Sequence, residues 1–236
     1  REALKEKFPE SESERNNILG MALWHRAFRY YRLCMLFNDI PAVFTEVETP
    51  VTNLCSVERD GILKKIKSDM EFAVQWVAED NSRGRISKGA CYHLLAKICL
   101  TLGDFDEAIK ATNAVIDGGR YSLMTNRFGV DVTDNTKNVL WDLHRPLNKN
   151  STENKEVLLA TLDRYEYQTA KSSQKTLAMR NFLPFWANTT NRIQTPDGKP
   201  GMSDKRLKEP ELDYNGIYGR GIGRCRLTWY SSNAVW

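Results

Sequence analysis

The sequence contains no run of 18 apolar residues, so no segment in it is long and apolar enough to cross a membrane as a helix. It also lacks an excess of either charge. Its 34 basic and 30 acidic residues leave +4 at pH 7, and no basic stripe gathers the surplus, so nothing directs the chain to nucleic acid. Cysteine is scarce: Cys34, Cys55, Cys91, Cys99 and Cys225 form no Cys-x-x-Cys pair and are too sparse for a disulfide scaffold. Four of the five lie in helical or apolar contexts, which points to burial and leaves the redox compartment open. No His-x-x-x-His or Cys/His cluster joins His25, His93 and His144, and His93 reads as a packing or surface residue rather than a zinc ligand.

Other chemistry-bearing patterns are equally thin. Gly216, Gly219, Gly221 and Gly223 are grouped, but no strand–turn–helix surrounds them and no lysine-serine or lysine-threonine pair follows. They make neither a dinucleotide fingerprint nor a phosphate loop, and read first as a tight or flexible loop. Glu46 with Glu48, and Asp104 with Asp106, are carboxylate pairs of ordinary frequency whose separation across a cleft is not legible. Residues 131–136 carry the oxygens of a calcium loop without its glycine or its spaced glutamate, so calcium is a weak reading there. Asn188-Thr189-Thr190 matches the glycosylation acceptor pattern, a short one that arises by chance. An enzyme is not expected, nor a cofactor.

What the chain does have is helical periodicity in its first half. At 41% hydrophobic and 27% charged residues over 236 positions, it has the material for a substantial core, and bulk disorder is excluded. Residues 1–15 are charged and weakly periodic, an exposed turn or frayed helix. From Asn17 the residues Leu19, Leu23, Ala27, Tyr30, Cys34 and Phe37 recur every three or four positions, the stripe of an amphipathic helix. Asn38-Asp39-Ile40-Pro41 stops it, and Val43 and Phe44 are expected to form a short extended piece. A second helix is expected from about Ser56 to Asp80, with Ile62, Ile66, Met70, Ala73 and Val77 inward. Ser87 caps a third, with Cys91, Leu94, Leu95, Ile98 and Leu102 inward. Gly103-Asp104 turns the chain into a fourth carrying Phe105, Ala108, Ile109, Thr112, Val115 and Ile116, closed by Gly118-Gly119.

Helices three and four follow the spacing of a tetratricopeptide hairpin: Gly89, Tyr92, Leu95, Ala96, Gly103, Phe105 and Ala108. Small Ala96 and Ala108 let the two helices approach, and Tyr92 and Phe105 are expected to fill the wedge toward neighbours. One such hairpin cannot bury its own apolar face, so the first two helices are its expected partners. The second half reads differently. Val139 to Leu143 is expected to be a buried strand or irregular segment, and Val157 to Leu162 is similar or opens a helix. After Arg180 periodicity disappears, and aromatics stand among glycines, prolines and asparagines, the composition of long loops pinned by aromatics. The expected organisation is a helical scaffold over 1–120 and an irregular, loop-rich region over 121–236 that packs on it: mostly α overall. Opening on Arg1 inside a charged helical pattern and stopping at Trp236 after an aromatic segment, the chain is expected to be a piece of a longer protein, with any signal peptide removed or never present.

Three blocks, in order, resemble the SusD/RagB family of nutrient-binding outer-membrane lipoproteins of the Bacteroidetes. The first runs from Ala27-Phe28-Arg29-Tyr30-Tyr31-Arg32-Leu33 into Leu36-Phe37-Asn38-Asp39-Ile40-Pro41, with Asn38 where the family has glycine. The second is Gly84-Arg85-Ile86-Ser87-Lys88-Gly89-Ala90, continuing through Gly103-Asp104-Phe105 to Gly119-Arg120-Tyr121-Ser122-Leu123. The third is Tyr218-Gly219-Arg220-Gly221-Ile222-Gly223-Arg224-Cys225-Arg226-Leu227-Thr228. The resemblance implies tetratricopeptide-like hairpins as scaffold, an irregular region carrying the ligand site, and binding without cleavage. It also implies a location on the outer face of the outer membrane, a lipid anchor at a cysteine this chain lacks, and a SusC-like TonB-dependent transporter as partner. The ligand it implies is an oligosaccharide or, in some members, a peptide.

Sugar rings present C–H faces to aromatic side chains and hydroxyls to polar ones, so a binding loop needs both. Phe185-Trp186-Ala187-Asn188, followed by Arg192, supplies that mixture. Trp186 is the leading stacking candidate, against the plain alternative that it pins its loop to the helical core. Asn188, Arg192, Tyr214, Tyr218 and Arg220 are the further candidates for contact with the ligand. The competing class is a protein-interaction module, in which Lys97, Lys110 and Asn113 line a peptide groove on the helical repeat.

Overall fold

The computed structural model describes residues 2–8, 11–50, 52–79, 84–149, 151–160, 196–198 and 228–229. Two compact units divide the chain, residues 1–162 and 163–236, and nearly all described residues fall in the first. That unit is mostly helical. Its order is α1 (Glu2–Lys7), α2 (Glu12–Phe37), β1 (Ile40–Pro41), β2 (Ser56–Val57), α3 (Arg59–Trp76), α4 (Lys88–Leu102), α5 (Phe105–Ile116) and α6 (Val139–His144). The helices α2 to α5 pack in sequence, each on the next, and β1 and β2 form one short antiparallel pair, Ile40 opposite Val57.

The core is the stripe that periodicity marks out. Ile62, Ile66, Met70 and Ala73 of α3 are fully buried with Val77 beyond them, facing Leu23, Trp24, Ala27 and Cys34 of α2. Cys91, Leu94, Leu95, Ile98 and Cys99 of α4 close the other side. Each buried Leu or Ile contributes about 1.5–3 kcal/mol. Trp24 crosses the layer: its indole N–H donates to the Ala90 carbonyl at 3.0 Å, and its ring stacks on Phe28 at 5.0 Å. Helices α2 and α3 approach closely at Gly20, where an added Cβ would lie 2.6 Å from Cγ2 of Val77.

Two charged groups cross the helices as well. Asp69 of α3, 4% exposed, accepts from Arg26 of α2 and from Lys65. Lys67 donates to Asp104 at 2.7 Å, joining α3 to the start of α5, and that hydrogen bond raises the pKa of the Lys67 ammonium.

Several boundaries differ from expectation. Helix α2 starts at Glu12, earlier than the stripe suggests, because the Ser11 side chain accepts from the Glu14 N–H and caps it. Phe37, the last residue of α2, is 67% exposed and so stands outside the buried part of the stripe. The strand falls on Ile40–Pro41 rather than on Val43 and Phe44. At Val43 the Tyr30 hydroxyl both accepts from the N–H and donates to the carbonyl, at 2.8 and 2.9 Å, so a side chain of α2 satisfies both backbone groups that a partner strand would take. Helix α3 begins at Arg59, since Ser56 and Val57 pair with β1 instead, and it ends at Trp76.

The hairpin of α4 and α5 turns at Gly103, which caps α4 in the left-handed conformation. Ser87 caps the start of α4 as expected. Helix α5, however, rests on α4 through Ala108 and Ala111. Phe105, Ile109 and Ile116 lie about a quarter turn away and are 63%, 57% and 64% exposed, so Phe105 fills no wedge among the described residues. The small residues set the contact because they allow the closer approach.

Beyond α5 the chain is irregular but fastened. Ser87 Oγ accepts from the Ala90 N–H and the Tyr121 hydroxyl and donates to the Leu158 carbonyl. Segment 121–124 runs beside 155–158, with the Ser122 N–H donating to the Lys155 carbonyl and the Met124 N–H to Glu156. Residues 157–160 stay irregular and partly buried, with Leu159 against the core.

Candidate functional site

The second structured feature of the unit is the loop from Arg127 to Asn154, built around one guanidinium. Arg127 makes five hydrogen bonds, as many as the group has N–H donors. They go to the two oxygens of Asp142 and to the carbonyls of Asp131, Asp134 and Lys137, the last two at 2.7 and 2.8 Å. Two backbone carbonyls of the stretch read as a weak calcium loop, those of Asp131 and Asp134, thus turn to an internal side-chain cation, while its carboxylates are taken by other partners, Asp131 by the Trp141 N–H and Asp134 by Thr136. Among the described residues no group of three His, Cys, Asp or Glu side chains is placed to hold a metal.

Asp142 is fully buried. Its carboxylate also accepts from the Phe128 N–H at 3.1 Å, and the Arg127 hydrogen bond holds its pKa below the usual carboxylate value. Asn148, 1% exposed, fastens the other side. Its amide donates to the carbonyls of Phe128 and Asp142 and accepts from the Val130 N–H. Gly129 sits against it with φ +78, where a Cβ would lie 2.2 Å from the Asn148 oxygen, so both the backbone angle and the space require glycine.

These contacts place α6, which is a helix where the apolar run 139–143 suggested a buried strand or irregular segment. Asn138 caps it, its side chain accepting from the Trp141 N–H. The helix turns Asp142 inward to Arg127 and leaves Leu140 and Trp141 60% and 42% exposed. The buried residue is the charged one because its ion pair and hydrogen bonds are made inside. The Trp141 indole N–H donates to Asp131 Oδ2 at 2.9 Å. Lys137 Nζ stands 4.2 Å from the ring centroid, and the Arg145 guanidinium stands at 5.9 Å. Arg145 Nε is 2.9 Å from the same Asp131 oxygen, in charge contact though not aligned as a hydrogen bond.

Other candidates are accounted for individually. His25 is exposed and meets the Trp24 ring edge-on at 5.2 Å. His93 lies on the exposed flank of α4, and partial burial, with Lys97 adding to it, lowers its pKa. Lys97 sits over Tyr31 at 5.8 Å, and Lys110 donates to Glu107 at 2.7 Å. Cys34, Cys91 and Cys99 are buried and Cys55 is exposed. The ligand candidates Trp186, Asn188, Arg192, Tyr214, Tyr218 and Arg220 lie outside the described residues, as do Cys225, the glycine group at 216–223 and the acceptor pattern at 188–190. The sequence reading missed Arg127, Trp141 and Asp142. Two signals carry them: an asparagine capping the apolar run and an aspartate in its middle.

Residues 2–100, from α1 through most of α4, match the sequence model of a family described as SusD-like, starch-binding and associating with the outer membrane. Over these residues the chain is similar to SusD-like proteins. It is 30% identical over 111 residues to SusD-like protein P2 of Formosa agariphila, across 46% of this chain and 22% of that protein. A SusD-like carbohydrate-binding protein from Bacteroides fragilis shares its fold with TM-score 0.52 at 20% identity, over 67% of this chain and 29% of the other. A second SusD-like protein of Bacteroides fragilis does so with TM-score 0.52 at 19% identity, over 64% and 28%. These matches span under a third of each relative's length, and the family match ends at residue 100, before the Arg127 loop.

Proposed function

We propose that this chain serves in non-catalytic binding of an oligosaccharide nutrient at the outer face of the outer membrane, for handover to a SusC-like TonB-dependent transporter. The observation that carries the reading is the match of residues 2–100 to a family described as starch-binding and associating with the outer membrane. The carbohydrate-binding description of a Bacteroides fragilis relative of the same fold agrees with it.

Stacking on Trp186, Tyr214 and Tyr218, with Asn188, Arg192 and Arg220 hydrogen-bonding hydroxyls, is the proposed mode of recognition.

A glycan-array screen, followed by calorimetry on each hit with Trp186→Ala alongside, tests the reading. An oligosaccharide hit weakened tenfold or more, about 1.4 kcal/mol, with thermal stability unchanged, is the expected result. Ligand protection at 87–117 in place of 182–224 would instead favour a peptide or protein groove. Absence of any hit on folded protein overturns oligosaccharide binding, and co-purification of the transporter tests the handover separately.

A further inference from the structure

We propose that the exposed ring of Trp141 is an oligosaccharide-stacking subsite, placed by the Arg127 loop and distinct from the aromatic candidates in 182–224. The proposal rests on the carbohydrate-binding reading above, and three observations on this loop carry it.

First, a tryptophan that is 42% exposed sits on a segment tied down by the buried side chains of Asp142 and Asn148. Arg127 fastens the loop at Asp131, Asp134, Lys137 and Asp142, and Asn148 fastens it at Phe128, Val130 and Asp142. The ring is thus presented by a rigid mount. Second, its N–H is committed to Asp131. One donor bond fixes the indole orientation, so a ligand meets a surface whose ordering cost is already met, the condition under which a single stacked ring adds most to affinity. Third, its surroundings are polar. The residues three and four positions away, Lys137, Asn138, His144 and Arg145, carry hydrogen-bonding groups; the Lys137 ammonium stands over the ring at 4.2 Å from its centroid and the Arg145 guanidinium at 5.9 Å, so a stacking sugar takes the face that Lys137 leaves or displaces it. Asn138 uses its oxygen as a cap, while its NH2 makes no hydrogen bond among the described residues.

A protein interface of the core-forming kind surrounds its aromatic anchor with apolar side chains. A pyranose asks for the opposite: one flat apolar face ringed by donors and charges that take its hydroxyls. The exposed Leu140 is next to Trp141 in sequence, about 100° around the helix, and so falls on another face. The chemistry of this rim therefore selects a sugar ring over an apolar protein surface.

The test uses the whole chain and four probes: maltoheptaose, laminarihexaose, a xyloglucan heptasaccharide and an oligogalacturonide. Hydroxyl-radical footprinting reads Trp141 directly. The indole should be oxidised in the free protein and protected by the probe that binds. Calorimetry should show Trp141→Ala weakening that probe tenfold or more and Trp141→Phe, which keeps a flat ring but not the N–H, weakening it less than threefold. Thermal unfolding separates loss of the ring from loss of the loop. Two results overturn the subsite and leave oligosaccharide binding standing: full affinity in Trp141→Ala, or a Trp141 already protected in the free chain. Failure of all four probes on the wild-type chain overturns the carbohydrate reading and the subsite with it.

Discussion

Gly20 offers the sharpest test of how α2 and α3 meet. Replacing it with alanine should gain about 1 kcal/mol from helix propensity if nothing stands in the way. Something does: the new Cβ would lie 2.6 Å from Cγ2 of Val77 and 3.4 Å from Cα of Ala73, against about 3.5–4.0 Å for a relaxed carbon pair. Val77 is 1% exposed and follows directly on α3, so it has little room to withdraw. Overpacking of this kind costs about 1–3 kcal/mol, and the net expectation for Gly20→Ala is a loss of about 1 kcal/mol. Val77→Ala alone removes two buried methyl groups and should cost about 2 kcal/mol. In that background the clash is gone, so Gly20→Ala should turn stabilising by up to about 1 kcal/mol. The coupling of about 2 kcal/mol lies well above the scatter of independent sites, about 0.5 kcal/mol. Urea unfolding of the four proteins measures it, with Tm moving about 2–4 °C per kcal/mol at this size. A Gly20→Ala effect of the same sign and size in both backgrounds would refute the contact.

Ser87→Ala removes a helix cap and the anchor of Tyr121 and Leu158 together. A loss of about 1–2 kcal/mol is expected by denaturant unfolding, with faster amide exchange at Ser122. Burial pushes the Cys91 thiol up to about 12, so alkylation at pH 8 should label exposed Cys55 far ahead of it, as mass spectrometry of the modified peptides will show. Because the folded pKa is raised, the stability Cys91 contributes is complete below the ordinary thiol value of 9.0 and is lost as pH rises from there toward about 12. Cys91→Ala should remove that alkaline decline from the unfolding curve. Arg127→Lys keeps a charge but not the fork, and amide exchange at Phe128 and Val130 should speed up by about tenfold or more, while excess EDTA leaves those amides unchanged in the parent. The Asp142 carboxyl is shifted down, so its contribution stands above the ordinary carboxylate value of 3.8 and is lost only as pH falls below it; Asp142→Asn should flatten that acid limb.

The scaffold was legible because its signals are local and repeat. Ile62, Ile66, Met70 and Ala73 recur at helical spacing and are all buried, and Ser87 and Gly103 bracket α4 by cap chemistry that depends only on near neighbours. Where a contact links distant residues, the pattern misleads. The strand at Ile40–Pro41 depends on Ser56 and Val57, and Val43 is satisfied by a hydroxyl from Tyr30. Leu140 and Trp141 look like core by composition. They face outward because Asp142 has its partner in Arg127, fifteen residues earlier, a pairing that no periodicity encodes. The ligand candidates Trp186 to Arg220 rest on composition and sugar chemistry, and remain proposals of that kind.

The guanidinium at the centre of the 127–142 loop sets how that loop answers to its surroundings. A bound calcium ion comes and goes with its concentration, so a loop ordered by one is in effect a gauge of the medium. Arg127 is covalently part of the chain and charged at every pH a cell meets. The loop is accordingly assembled once, at folding, and stays assembled wherever the protein is carried, whether the medium is rich in divalent cations or stripped of them. The same design concentrates vulnerability: any substitution that removes the positive charge leaves three carbonyls and a buried carboxylate facing one another across an empty centre, and with them goes the mount that holds Trp141 to the outside.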